Sequence, residues 1–457
     1  MKVLKPSSLN NYVVCAIVLG LLWVSATVTA QTFTVIKNFN YVDGYDPWGS
    51  LTLSDGVLYG TTRLGGGSDG GTVYKMNTDG TDYTVLKNFS DGAALYAGVT
   101  LVDGMLYGTT RYGGVSNYGT VFIVSTNGTG YSVLKSFTGV DGRNPYAAVI
   151  YSDGMLYGTT KYGGVSDNGT VYKLNANGTG YTVLKSFNGT DGRYPYASLT
   201  LSSNVLYGTT QSGGDSENGT VFKLNTDGTG YKVLKRFSAL VSQSMTNSDG
   251  SSPWKGLILS SNMLYGTAHQ GGISNYGTVF RMKTDGTDFT VLKYFTGIDG
   301  AAPYAGLILS SNILYGTTRD GGIYQTDPGS SNPTDGGTVF QLNTDGTGFN
   351  VLRNLSFTNN SGGGPYAGVI LSGSTLYGAA LGGSTSYGTV FKIDLSSLPS
   401  LTAQALDDVI VLGWNNPSFT LQAAPEAEGN YTNIAGAISP YTNVISGPQR
   451  FFRLIRN

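Results

Sequence analysis

The 457-residue sequence has one cysteine, one histidine and few charges, and each shortage removes a class of explanation. Cys15 lies within the first thirty residues, so everything after it must fold without disulfides. Stability then has to come from a large core, which a chain of this length can bury. His269 is the sole histidine. No group of His and Cys shows the ligand spacing of a zinc site, and no metal or other cofactor is expected. Charged residues make up 12% of the chain, about half the ~25% of an average globular protein. Disorder is nevertheless excluded, because aromatic and β-branched residues are plentiful. No window carries a helical period of useful length.

Residues 1–30 read as a secretory signal peptide. Lys2 and Lys5 form a basic start, Tyr12 to Ser25 an apolar run, and Val28-Thr29-Ala30 a small-residue cleavage pattern. The run is too short and too poorly flanked for a stable membrane span. Loss of the two lysines leaves 25 basic against 28 acidic residues and moves the formal charge from −1 to −3. A nucleic-acid partner, which requires a basic footprint, is excluded.

What the chain has in abundance is repetition. Leu-Tyr-Gly recurs seven times, with its tyrosine at Tyr59, Tyr107, Tyr157, Tyr207, Tyr265, Tyr315 and Tyr377. The spacings are 48, 50, 50, 58, 50 and 62 residues. A period of this size signals repeated supersecondary units. The copy from Pro195 to Phe237 reads as four strands: Tyr196–Leu201, Val205–Thr210, Thr220–Leu224 and Tyr231–Phe237. A Ser203-Asn204 turn, a glycine-rich loop and an Asp227-Gly228 hairpin separate them. Four strands per repeat predicts a seven-bladed, all-β propeller.

The fourth strand is displaced by one copy. It first occurs at Phe33–Phe39, ahead of any complete repeat, and the last repeat stops after Thr389–Ile393. The N-terminal strand is therefore expected to complete the seventh blade and remove an open edge. Each fourth strand carries a basic residue at one position: Lys37, Lys87, Lys135, Lys185, Lys235, Lys293 and Arg353. Edge protection explains them better than a belt for an acidic polymer. The domains read as 1–30 signal peptide, 31–397 propeller and 398–457 a β-sandwich-like module, joined through Ser396 to Pro399. In the last, Val409–Leu412, Phe419–Gln422 and Phe451–Leu454 are the expected strands.

The elements Leu156-Tyr157-Gly158-Thr159-Thr160, Gly163-Gly164, Gly169-Thr170-Val171-Tyr172-Lys173 and Asp191-Gly192 resemble the GloVer tandem repeat, as does Tyr181–Leu184 with Phe187. The resemblance spans about Gln31 to Leu395. The last copy departs from it, with Gly378-Ala379-Ala380-Leu381 in place of Gly-Thr-Thr-Arg. The family occurs in secreted bacterial proteins, notably of Verrucomicrobia-like organisms. The resemblance implies an exported propeller-like protein and no established activity.

Three irregularities in length, at Ser238 to Ser252, Asp320 to Gly336 and Ser356 to Gly363, fall in four-to-one or two-to-three loops. All belong to one face, and insertions confined to one face of a repeat scaffold mark its binding side. Two rings of residues lie on or near it. The first opens the innermost strands: Trp48, Tyr96, Tyr146, Tyr196, Trp254, Tyr304 and Tyr366. These could stack on sugar rings or wedge between blades, with Trp48 and Trp254 expected to be exposed. The second follows the second strands: Arg63, Arg111, Lys161, Gln211, His269 and Arg319. Its cations could meet carboxylates or sulfates of an acidic glycan, or pair with nearby aspartates.

Catalytic residues are harder to find. Glu217 is the one glutamate of the repeat region, whereas glycoside hydrolysis usually requires two carboxylates at set separations. Asp43, Asp141, Asp191 and Asp299 stand in Asp-Gly pairs, which signal turns before they signal calcium. The chain reads as an exported, monomeric, non-catalytic propeller binding a polysaccharide or a surface protein. A polysaccharide-degrading enzyme with an Asp and Arg pair on the same face, and a structural envelope protein, are the alternatives.

Overall fold

The computed structural model describes residues 32–456 except 91–92, 323–335, 358–359, 397–400, 407–408, 415–418, 425–431, 435–436, 438–440 and 445–450. The expected signal peptide, most of the Asp320 to Gly336 loop and most of the Ser396 to Pro399 linker lie outside them. Every regular element among the described residues is a β-strand.

Seven four-stranded antiparallel sheets form the blades of a β-propeller. The innermost strands are Thr52–Ser54, Thr100–Val102, Ile150–Ser152, Thr200–Ser202, Ile258–Ser260, Ile308–Ser310 and Ile370–Ser372. In the first blade they are followed by Val57–Thr62, Thr72–Asn77 and Thr84–Asn88, each paired with its predecessor. The seventh blade is completed by Thr32–Asn38 alongside Thr389–Asp394. The displaced strand thus closes the ring as the repeat count requires. Phe33 stacks on Phe391 at 5.3 Å across this joint, and Phe39 is wholly buried.

The second strand of each blade is buried almost throughout, which explains its small and apolar residues. At Gly158 an added Cβ would stand 2.4 Å from the Tyr172 hydroxyl, because the third-strand ring lies across the glycine. The same conflict recurs from Gly60 with Tyr74 to Gly378 with Phe391, so this glycine is required by packing. The Leu-Tyr-Gly tyrosines are core, 6–8% exposed.

The cores lie between neighbouring blades. Tyr107, Val121 and Phe137 of one blade pack with Val149, Leu156, Tyr172 and Leu174 of the next. Each such large side chain contributes about 1.5–3 kcal/mol on burial. Hydroxyls cross the same seams: Thr61 donates to the Ala97 carbonyl at 2.8 Å, and Thr159 to that of Ala197 at 3.0 Å.

The fourth-strand cations are not simple edge guards. Lys185 pairs with Asp191 and sits 4.3 Å from the ring centre of Tyr231 in the next blade. Lys37, Lys135, Lys235 and Lys293 repeat the arrangement with Asp43, Asp141, Asp249 and Asp299, and with Tyr83, Tyr181, Phe289 and Phe349. Arg353 covers Phe33 at 4.5 Å and so staples the closing strand. These cations hold blade to blade, and the Asp-Gly aspartates are their counter-ions. The intervening turn needs glycine: Gly142 has φ 130°, and a Cβ there would lie 2.7 Å from Thr160.

Residues 33–392 form one compact unit, and 393–457 group separately. Within the latter, Leu401–Leu406, Val409–Trp414 and Tyr441–Val444 form one antiparallel sheet. Thr432–Asn433, Phe419–Ala424 and Phe451–Arg456 form another.

Candidate functional site

Strand direction puts the four-to-one and two-to-three loops of all seven blades on one face. The described parts of all three irregular loops are there. Val115, Val165 and Ile273 occupy one repeat position in its two-to-three loops and are 95%, 89% and 63% exposed.

Each innermost strand is preceded, on this face, by its aromatic residue. Seven such rings meet in an unbroken collar about the axis. Trp48 contacts Tyr96 at 4.9 Å, Tyr96 contacts Tyr146 at 4.6 Å, and Tyr146 contacts Tyr196 at 4.7 Å. Tyr196 stacks on Trp254 at 4.2 Å, and Trp254 meets Tyr304 edge-on at 5.0 Å. Tyr304 reaches Tyr366 at 5.2 Å, and Tyr366 stacks on Trp48 at 3.8 Å. The space left among them is about 10 Å³, room for about one water. Trp48 and Trp254 are not exposed as expected; they are half-buried, each flanked by two collar neighbours. Offset and edge contacts of this kind favour one another, so the rings close on themselves rather than face solvent.

The second ring stands over the collar, locked by main-chain bonds. The amide of Arg63 donates to the Asp46 carbonyl, that of Arg111 to Ala94, Lys161 to Asn144, Gln211 to Tyr194, His269 to Ser252 and Arg319 to Ala302. Each acceptor lies two residues before its collar aromatic, so the same turn positions both residues. The acceptor's own side chain then decides the charge. Asp46 binds the Arg63 guanidinium at 2.5 Å. Burial pushes the Asp46 carboxyl up, and Arg63 opposes the shift. At Arg111 the equivalent residue is Ala94, with no side-chain acceptor to offer. At Lys161 it is Asn144, whose amide is spent on the Arg111 carbonyl at 2.9 Å.

Arg111 instead donates to the Tyr96 hydroxyl at 2.8 Å and lies 4.9 Å from the ring centre of Tyr146. Lys161 lies 4.5 Å from the ring centres of both Tyr162 and Tyr196. Burial, aided by the charge of Arg111, pushes its ammonium down to about 8. Neither cation has a carboxylate within ion-pair distance among the described residues. Arg319 has Asp320 at 3.3 Å and covers Tyr366 at 5.1 Å. Among the described residues the mouth therefore holds four cations against two carboxylates, on a chain of net negative charge.

Gln211 is half-buried and neutral. His269 is buried, 4% exposed, between Trp254 at 5.4 Å and Tyr304 at 4.4 Å. Its Nδ1 lies 2.6 Å from the Ser252 carbonyl and so carries the proton. Burial pushes its ionisation down to about 4, leaving a neutral packing residue at pH 7. Glu217 is bound by Arg193 at 2.5 Å on the surface.

One polar residue at the axis escaped the sequence reading. Lys255 follows Trp254, where the other blades have Gly49, Ala97, Ala147, Ala197, Ala305 and Ala367. The signal was a single charge in an otherwise Gly and Ala register position.

The chain matches the Gloeobacter/Verrucomicrobia repeat over residues 88–245 and 238–403, bearing out the resemblance read from the repeats. No curated protein is significantly similar. Among solved structures, YCF48 from Cyanidioschyzon merolae is 8% identical at TM-score 0.49, over 79% of this chain and 98% of its own. An oligogalacturonate lyase from Vibrio parahaemolyticus is 10% identical at TM-score 0.48, over 81% and 97%. A chain of a nidogen/laminin complex is 17% identical at TM-score 0.36, over 54% and 76%. These are distant likenesses of fold.

Proposed function

The chain belongs to the Gloeobacter/Verrucomicrobia repeat family, and from that premise we propose that it is an exported, non-catalytic propeller binding an acidic glycan at the mouth of its axis. The observation that carries this reading is the pair Arg111 and Lys161, seated over the collar with no carboxylate partner among the described residues. Half-buried cations without counter-ions are costly to leave unsatisfied. Carboxylates or sulfates of a ligand would supply what Asp46 supplies to Arg63. The seven-fold surroundings suit a polymer, since successive sugar units can meet equivalent blades. Exposed Val115, Val165 and Ile273 offer apolar contact for sugar faces on the same side.

Catalysis finds little support at this mouth. His269 is neutral and walled in, and Glu217 is tied to Arg193. The test is an array of carboxylated, sulfated and neutral glycans at modest salt, followed by an assay of any bound polymer for new reducing ends. Binding confined to acidic glycans without new reducing ends supports the proposal. New reducing ends would identify an enzyme. Absence of binding to any glycan would favour a structural role.

A further inference from the structure

Beneath the collar the propeller axis widens into a cavity of about 230 Å³. Its wall is the set of innermost strands, which pair on one side only and turn their free edges to the axis. Gly98, Ala148, Gly256 and Gly306 line it and leave backbone accessible. The hydroxyls of Thr52 and Thr200 are already donated to the carbonyls of Val99 and Leu257. Ser198, on the blade beside Lys255, lines the same cavity and makes no side-chain hydrogen bond within the described structure.

Among the described residues Lys255 is the one charged side chain in this wall. It is half-buried and borders both the collar space and the cavity. No carboxylate lies within ion-pair distance of it among the described residues. Burial alone, unopposed by any neighbouring charge, pushes its ammonium down to about 8. The repeat places alanine at this position in five of the other six blades, so the fold itself does not call for a lysine.

We propose that the axial cavity is a binding site for a small oxyanion, with Lys255 as its counter-ion and the Ser198 hydroxyl as an added donor. The ligand class is a compact group bearing one or two negative charges, such as a sulfate, a phosphate or a carboxylate. The collar separates this site from the mouth above, leaving space for about one water between them. The two sites are therefore independently testable. A bound anion favours the charged lysine, so binding above pH 8 takes up protons.

The experiment measures thermal stability of the full chain against sodium selenate, phosphate and acetate, each compared with sodium chloride at equal ionic strength. A ligand that binds only the folded state raises the melting temperature in a saturable way. The rise is expected in the parent and in Arg111→Ala. It is expected to vanish in Lys255→Ala, which installs the repeat's own residue, and in Lys255→Met, which keeps most of the apolar stem. Crystals soaked in selenate should show anomalous scattering beside the Lys255 Nζ. Whichever of the three anions acts identifies the ligand chemistry. An equal rise in parent and Lys255 variants, no rise with any anion, or loss of the effect only in Arg111→Ala overturns the proposal.

Discussion

The indole of Trp48 lies flat on the ring of Tyr366, centroids 3.8 Å apart and planes 9° from parallel. The two residues are 318 positions apart and belong to the first and last blades, so this contact is where the collar closes. Among the described residues the same seam lacks the Thr hydroxyl bond found between other blades, because the last copy has Ala379 where they have Thr61 or Thr159. Closure there rests on the stacked pair, on the core that Phe39, Tyr377 and Val390 share with Leu51 and Leu58, and on Lys37 of the borrowed strand over Tyr83.

Removal of residues 32–38 should therefore cost more than an ordinary N-terminal truncation. It uncovers the edge of Thr389–Asp394 and strips the partner from Arg353. The half-buried side chains of Phe33, Val35 and Ile36 are lost, at up to about 1.5–3 kcal/mol each. Calorimetry is expected to show a fall of many degrees in melting temperature. A truncated protein melting with the parent would refute this mode of closure.

Tyr172→Phe should stabilise the protein by about 1 kcal/mol. The Tyr172 hydroxyl is fully buried and has no hydrogen-bond partner among the described residues. Phe122, Phe222, Phe280, Phe340 and Phe391 fill the same place in other blades. Urea denaturation of the two proteins measures the gain. A loss of stability would mean that the hydroxyl is satisfied in solution, through a bound water for instance.

Acid stability should depend on His269. Its folded-state ionisation is pushed down to about 4 from an ordinary value of 6.5, so the unfolded chain takes up the proton first. The stability it contributes is complete above pH 6.5 and is lost as pH falls towards 4. A shift of this size is worth about 3 kcal/mol at most. Gln211 occupies the same position one blade earlier, so His269→Gln should fold. The stability difference between parent and variant, measured from pH 7 to pH 4, is expected to shrink or reverse in favour of the variant on acidification. A constant difference would show that His269 titrates normally.

The architecture was legible because it rests on counting. Seven Leu-Tyr-Gly tyrosines and one displaced Phe33–Phe39 strand specify both the blade number and the closure. Loop faces follow from strand alternation alone. Side-chain direction does not. An aromatic opening a strand can point to solvent or to its neighbours, and Trp48 became a packing residue only once Tyr366 was brought beside it. Lys185 looked like an edge charge because Asp191 is six residues away along a loop whose fold-back no pattern announces. Lys255 was visible as a register anomaly, but its meaning required the cavity. Charge balance at the mouth was equally hidden, since it turns on whether Asp46, Ala94 or Asn144 stands beneath each cation.

The most direct test of axial recognition is the affinity for an acidic glycan, by calorimetry at two salt concentrations, in the parent, Arg111→Ala, Lys161→Ala and Asp227→Asn. Asp227 caps a turn on the opposite face, where its carboxylate accepts from the Thr229 amide at 2.8 Å. Each mouth substitution is expected to weaken binding by about 1–3 kcal/mol and to flatten its salt dependence, with the fold intact. Asp227→Asn should bind as the parent does. Unchanged affinity in both mouth variants, or an equal loss in Asp227→Asn, would contradict recognition at Arg111 and Lys161.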